Sequence, residues 1–248
     1  MTALCGNLFV KSLGIKAFTN LLPHTHTMTQ QYWSVGTPES LLICGGAGMG
    51  KSTFVLHLLT SPQCWQKKID KFLYCYGIYS KTVEEISRNC PHIQLMEGLP
   101  RNLLSRPLEV LNPQETHVLV LDDCSLESQE SKELTSFLSR GVTHSNTTLI
   151  SVEHFLFSPS AQRRNQSFHY NQLILFKSGR NLGQLAVLAK QTGICSAKTL
   201  TAAYQDATSQ PYSHLVIDQR PQTPDQLRLL TNVLCQDGEP TFAYSTTI

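Results

Sequence analysis

Long hydrophobic runs are missing from this 248-residue sequence. A membrane-crossing helix needs roughly 20 consecutive apolar residues, and no stretch approaches that length, so no membrane span is expected. Charge is also scarce: 15% of residues are Asp, Glu, Lys or Arg, and the formal net charge is +2. So small an excess excludes a basic tail that holds nucleic acid by bulk attraction, although a local basic loop stays open. A low charged fraction also fits a surface partly covered by partners. The eight cysteines (Cys5, Cys44, Cys64, Cys75, Cys90, Cys124, Cys195 and Cys235) contain no C-x-x-C pair. That spacing removes the usual zinc and dithiol frameworks, and the scatter reads as reduced thiols of an intracellular protein. Residues Met1 to Ser12 hold one Lys and no long apolar core, so no secretory signal is expected. Internal repeats and low-complexity tracts are absent. Against these absences, 41% of residues are hydrophobic, enough for the core of one α/β domain or two small ones.

What is present is organised around Gly45-Gly46-Ala47-Gly48-Met49-Gly50-Lys51-Ser52. This segment fits the P-loop pattern G-x-x-x-x-G-K-[ST] at every fixed position. The apolar run Leu41-Leu42-Ile43-Cys44 before it reads as a buried strand, and Thr53 to Leu59 after it has helical spacing of apolar residues. Glycines let backbone N–H groups wrap a phosphate where a Cβ would block the approach. The helix that starts near Gly50 turns its positive end toward that phosphate. Lys51 supplies a point charge for the β- and γ-phosphates and Ser52 a hydroxyl for Mg²⁺. The residues from Gly45 to Thr53 are therefore the candidate ATP-binding set.

Downstream, strands are expected at 72–76, 93–96, 118–121, 148–152, 173–176, 215–218 and 242–244. Helices are expected at 83–88, 131–140, 182–191 and 196–205. Apolar strands alternating with helices indicate a mostly parallel central sheet covered on both faces, with ligands at the strand carboxyl ends. Residues 1–38 read as an N-terminal segment, an edge strand at Leu8-Phe9-Val10 plus a loop through His24-Thr25-His26-Thr27. Residues 39–248 read as the P-loop domain.

The run Val118 to Leu121 ends in Asp122-Asp123, about 70 residues past the loop, which is the Walker B pattern. Asp122 is the candidate Mg²⁺ carboxylate beside Ser52. Asp123 is placed to orient or deprotonate the attacking water; the alternative is a turn with two solvated carboxylates. Two strands between the P-loop and Asp122 match the additional-strand (ASCE) division of P-loop ATPases as those families are known. His154 follows the fifth expected strand, where ring ATPases place a polar sensor, or it is a structural histidine. Arg140, Arg163 and Arg164 are either solvated charges or candidates for an arginine donated to a neighbouring subunit.

The chain resembles the DNA-packaging ATPases of the FtsK/HerA superfamily, in the form carried by Polinton-like and adintovirus-like elements and, more distantly, by poxviruses. The likeness rests on Leu42 to Phe54, Val118 to Asp123, Arg140-Gly141-Val142-Thr143-His144 through Asn146 to Phe157, Arg164 to Lys177, and Leu215 to Asp218 with Pro221 to Leu229. It departs from the family at His154, where the family has a sensor glutamine, and at Ser145, where a basic residue commonly follows. The resemblance implies a RecA-like P-loop NTPase that uses ATP and Mg²⁺. It also implies a homo-oligomeric ring that threads double-stranded DNA through a viral capsid vertex, in the host-cell nucleus or cytoplasm where virions assemble or in the virion. Arg164 aligns with a family arginine and is the first candidate for action in trans, with Arg140 the second. Two other readings compete, a nucleotide or small-molecule kinase and a regulatory ATPase that does not translocate. Few arginines follow Walker B, which disfavours the arginine-rich lid of a kinase.

Lys51→Ala is expected to abolish tight ATP binding, because the phosphates lose their fixed positive charge. Titration with a fluorescent ATP analogue checks this; unchanged affinity and turnover would contradict the P-loop assignment.

Overall fold

The computed structural model describes residues 8–11, 33–90, 92–100, 102–124, 128–157, 169–234 and 240–245. The strands are β1 (Leu8–Lys11), β2 (Glu39–Cys44), β3 (Lys71–Tyr76), β4 (Ile93–Glu97), β5 (His117–Asp122), β6 (Thr147–Glu153), β7 (Gln172–Phe176), β8 (His214–Asp218), β9 (Leu229–Thr231) and β10 (Thr241–Tyr244). The helices are α1 (Lys51–Leu59), α2 (Lys81–Asn89), α3 (Pro107–Val110), α4 (Ser128–Ser136), α5 (Val142–His144), α6 (Leu182–Thr192) and α7 (Ala197–Ala207). The fold is mixed α/β with mostly parallel pairing, as expected. The chain divides into two compact units, one of Ser34–Cys44 with Gly50–Asn171, the other of Met1–Trp33, Gly45–Met49 and Gln172–Ile248.

The first unit holds five strands in the order β2-β6-β5-β3-β4, all parallel. Strand β6 lies between the P-loop strand β2 and the aspartate strand β5, which is the RecA-like arrangement with an additional strand. Strands buried on both faces need continuous apolar runs rather than alternation. Leu41, Ile43, Val118, Leu119, Val120, Leu149 and Ile150 are accordingly sealed from solvent. The edge strand β4 alternates and is half-exposed. Pairing sets Cys44 opposite Glu153, and Asp122 opposite both Val152 and Tyr76, so the carboxyl ends of β2, β3, β5 and β6 finish level. Helix α2 is capped by Ser80, whose hydroxyl accepts from the Val83 N–H at 3.3 Å, and it buries Val83 and Ile86.

The helix expected over 131–140 is interrupted. After α4 the chain widens into a π-helical turn at Phe137–Gly141. Gly141 packs on the Phe137 ring so closely that a Cβ there would lie 2.3 Å from Cδ2. Ser145 then closes the turn, fully buried, donating to the Gly141 carbonyl at 2.7 Å. A side chain enclosed in that way is not a DNA contact.

In the second unit the order is β1-β10-β9-β8-β7. Strand β1 pairs parallel with β10, whereas β10-β9, β9-β8 and β8-β7 are antiparallel. The expectation of parallel strands fails here for a geometric reason. One crossover helix returns the chain to the start of a strand and makes a parallel pair. Two consecutive helices, α6 and α7, pack on each other and deliver the chain back to the end it left, so β8 runs against β7. Asp218, at the end of β8 and 1% exposed, accepts from Nε of Arg220 at 3.0 Å and Nη2 at 2.5 Å. That bidentate pairing marks it as a structural carboxylate.

His214 opens β8, buried, with its ring 5.2 Å from that of Phe176. Burial lowers its pKa from 6.5 to about 4. Because the folded form resists protonation, this residue's contribution is present above pH 6.5 and is lost as pH falls toward 4, by up to about 3 kcal/mol. Thermal or denaturant unfolding followed between pH 7 and 4 is expected to show wild type losing more stability than His214→Phe. Parallel pH profiles for the two would contradict this.

Candidate nucleotide site

The P-loop is shaped by contacts a side chain would break. A Cβ on Gly45 would lie 2.5 Å from Cβ of Phe176, and the Gly46 N–H donates to the Lys177 carbonyl at 3.2 Å. Tyr204 of α7 steadies that strand end: its hydroxyl donates to the Phe176 carbonyl at 2.9 Å and accepts from the Ser178 N–H at 2.8 Å. Ala47 and Gly48 form the exposed tip, followed by the half-buried Met49. Gly48 and Gly50 carry φ of 71° and 94°, the left-handed region that glycine enters without strain. Gly50 is also the N-cap of α1 and makes no side-chain cap. The first-turn N–H groups of that helix are thus left to an anion.

Lys51, Ser52 and Thr53 form the first turn of α1 and are buried, half-buried and exposed in turn. Lys51 is 8% exposed. Burial lowers its pKa, opposed by the nearby Cys44, Asp122, Asp123 and Glu153. Asp122 stands at the end of β5. Burial pushes its carboxyl above the usual range, against hydrogen bonds from the Tyr74 and Ser52 hydroxyls; Asp123 adds to the rise and Lys51 opposes it. Tyr74 lies on β3, fully buried, and its phenol donates to Oδ2 of Asp122. The structure brings Lys51, Ser52 and Asp122 together.

Asp123 turns out of the strand. Its φ of 52° is one that Asp and Asn adopt more readily than other side chains. Its exposed carboxylate lies 3.5 Å from Nε2 of His154, itself part-exposed after β6. Gly77 makes room for this turn: its N–H donates to the Asp122 carbonyl at 3.1 Å, and a Cβ on it would lie 2.2 Å from the Asp123 carbonyl oxygen. Cys124 follows, with Sγ 3.4 Å from the Cys75 carbonyl oxygen. Burial pushes both thiols up to about 12, so they stay protonated and serve packing. None of the six described cysteines is in a disulfide.

The donor set suits Mg²⁺. This ion takes one or two protein oxygens and completes its octahedron with water and phosphate, and a hydroxyl (Ser52) bonded to a carboxylate (Asp122) offers that pair. Among the described residues no group of three or more His, Cys, Asp and Glu side chains could hold a metal by itself, so a zinc-type cage is not what these residues build.

Arg140 lies in the π-helical turn, exposed, with Nη2 donating to the Ser136 hydroxyl at 3.1 Å. Arg163, Arg164 and the His24–His26 loop lie outside the described residues. Sequence reasoning did not single out Tyr74, Gly77 or Glu153. Tyr74 pairs with Val120, two residues before Asp122, so the period-two pleat puts Tyr74 and Asp122 on one face. That signal becomes usable once β3 and β5 are known to be neighbours.

No protein-family model matches the chain, and no curated protein does. Among solved structures it is similar to EssC (ATPases 2 and 3) from Geobacillus thermodenitrificans, at 14% identity and a TM-score of 0.42, over 59% of this chain and 34% of that one. It is similar to the genome packaging NTPase B204 from Sulfolobus turreted icosahedral virus 2, solved with ATP-γ-S, at 14% identity and a TM-score of 0.45, over 75% and 95%. A KaiC-like protein from Pyrococcus horikoshii gives 14% identity and a TM-score of 0.39, over 56% and 71%. The chain spans about a third of the EssC structure it matches. Likenesses of this extent assign no activity.

Proposed function

We propose that this chain is an Mg²⁺-dependent ATPase of the FtsK/HerA type. In this reading it assembles as a homo-oligomeric ring and drives double-stranded DNA into a viral capsid. The observation that supports ATP hydrolysis is the meeting of Lys51 and Ser52 with Asp122 at level strand ends, one residue from the exposed Asp123. The reading as a packaging motor is supported by the sequence motifs shared with that superfamily and by the additional strand β6 between β2 and β5.

In this reading Lys51 binds the β- and γ-phosphates, and the first turn of α1 receives phosphate oxygens on its N–H groups. Ser52 and Asp122 would hold Mg²⁺, which when bound would neutralise phosphate charge. A water placed by Asp123 attacks the γ-phosphorus, the bond to the β–γ bridging oxygen breaks, and the proton of the water passes to Asp123. His154 holds the Asp123 carboxylate toward that water. Arg164, or Arg140 from the π-helical turn, serves a neighbouring subunit by stabilising charge on the transferring phosphoryl group.

Asp123→Asn tests the base without disturbing the turn, because Asn tolerates the same left-handed φ. It is expected to bind Mg·ATP normally and to hydrolyse it about 10²–10⁴-fold more slowly; near-normal turnover would make Asp123 a turn residue. Turnover with and without linear duplex DNA tests the motor. Stimulation by DNA of any sequence, falling steeply with salt, is the expected result. Phosphate transfer to a small acceptor, or ATP turnover indifferent to DNA, would overturn the translocase and favour a kinase or a regulatory ATPase respectively.

A further inference from the structure

The Tyr74–Asp122 contact goes beyond what a P-loop ATPase site requires. Tyr74 sits in the middle of β3, 0% exposed. Its register partner on the neighbouring parallel strand is Val120, so Asp122 is the diagonal neighbour on the same face, within reach of an aromatic side chain. The phenol donates to Oδ2 of Asp122, and the Ser52 hydroxyl bonds the same carboxylate. A carboxylate has two oxygens and about four acceptor positions. With Oδ2 engaged by a ring that the sheet immobilises, rotation of the carboxylate is restrained, and Oδ1 is the oxygen that the phenol does not take.

This matters for the ion. Mg²⁺ is small, needs near-ideal octahedral geometry and takes a carboxylate through one oxygen, whereas Ca²⁺ accepts six to eight ligands and readily chelates a carboxylate through both. A carboxylate with one oxygen already holding a hydrogen bond favours contact through the other alone, which suits the first ion better than the second. We propose that Tyr74 is the positioning residue of the metal carboxylate: by holding Oδ2 it leaves Asp122 one oxygen to offer and sets the site for Mg²⁺ over larger divalent ions. This rests on the assignment of Ser52 and Asp122 as the Mg²⁺ residues. Tyr74 touches neither nucleotide nor metal in this account and acts through Asp122 alone.

The test is metal-dependent nucleotide binding, read by titrating a fluorescent ATP analogue with no divalent ion, with Mg²⁺ and with Ca²⁺, for wild type and Tyr74→Phe. Phenylalanine keeps the ring and removes only the donor. Outer partners of metal ligands typically contribute about 10–100-fold in metal affinity. Tyr74→Phe is therefore expected to reduce the Mg²⁺-dependent gain in nucleotide affinity by at least about 10-fold, to leave metal-free binding unchanged, and to raise the ratio of Ca²⁺-supported to Mg²⁺-supported affinity. Electron paramagnetic resonance of Mn²⁺ bound with the analogue gives a readout independent of turnover, and the Mn²⁺ signal is expected to change in the variant. Tyr74→Met, which fills a comparable volume without a donor, repeats the measurement should the phenylalanine variant fold poorly. A Ca²⁺ to Mg²⁺ ratio within twofold of wild type, at equal thermal stability, would overturn the role of Tyr74. Wild-type binding indifferent to Mg²⁺ would instead overturn the metal-site assignment on which it stands.

Discussion

Everything in the candidate site depends on burying opposite charges at the level carboxyl ends of four parallel strands. Lys51 is held at 8% exposure with Asp122, Asp123 and Glu153 around it. Taking either sign from water alone costs several kcal/mol, and breaking a buried pair by deleting one member costs about 3–5 kcal/mol. Lys51 and the part-buried Asp122 therefore stabilise one another in place before any phosphate arrives. The balance is close. Burial lowers the Lys51 pKa and raises that of Asp122, so both groups are displaced toward neutrality. In the proposed reading, an incoming polyphosphate adds negative charge beside Lys51 and its cation adds positive charge beside Asp122.

Among the described residues, Asp122 and Asp218 end strands and are held in different ways. Asp218 is clamped by the guanidinium of Arg220, a planar cation that satisfies both carboxylate oxygens. Asp122 is hydrogen-bonded by neutral hydroxyls, those of Tyr74 and Ser52, which fix its geometry, while the nearby Lys51 opposes the rise in its pKa. A structural carboxylate needs neutralisation; a carboxylate in the proposed metal site needs orientation with an oxygen left to offer. The difference was not readable from "apolar run ending in Asp", which both segments satisfy.

Local pattern carried most of the fold. Strands β2 to β8 and β10, and helices α1, α2, α6 and α7, fall where apolar periodicity placed them, because parallel strands buried on both faces are continuous apolar runs. The P-loop was legible because its constraint is on the backbone: Gly48 and Gly50 carry left-handed φ and Gly45 abuts Phe176. The unread parts are those set by which residues pack together, near or far in sequence. Antiparallel pairing of β8 with β7 follows from the two helices between them, and β9 is three residues long. The widened turn at Phe137–Gly141 comes from one glycine packing on one ring. The role of Tyr74 depends on strand order, which residue spacing alone does not state.

The central claim is that Lys51, Ser52 and Asp122 form one Mg·nucleotide site. A crystal structure of the chain with Mg²⁺ and ATP-γ-S tests it most directly. The account predicts the γ-thiophosphate within hydrogen-bond distance of the Lys51 ammonium. It also predicts Mg²⁺ at about 2.1 Å from the Ser52 hydroxyl oxygen, with Asp122 on the metal directly or through one water and Tyr74 still on Oδ2. Nucleotide bound away from Gly45–Thr53, or Mg²⁺ bound without Ser52 and Asp122, would contradict it.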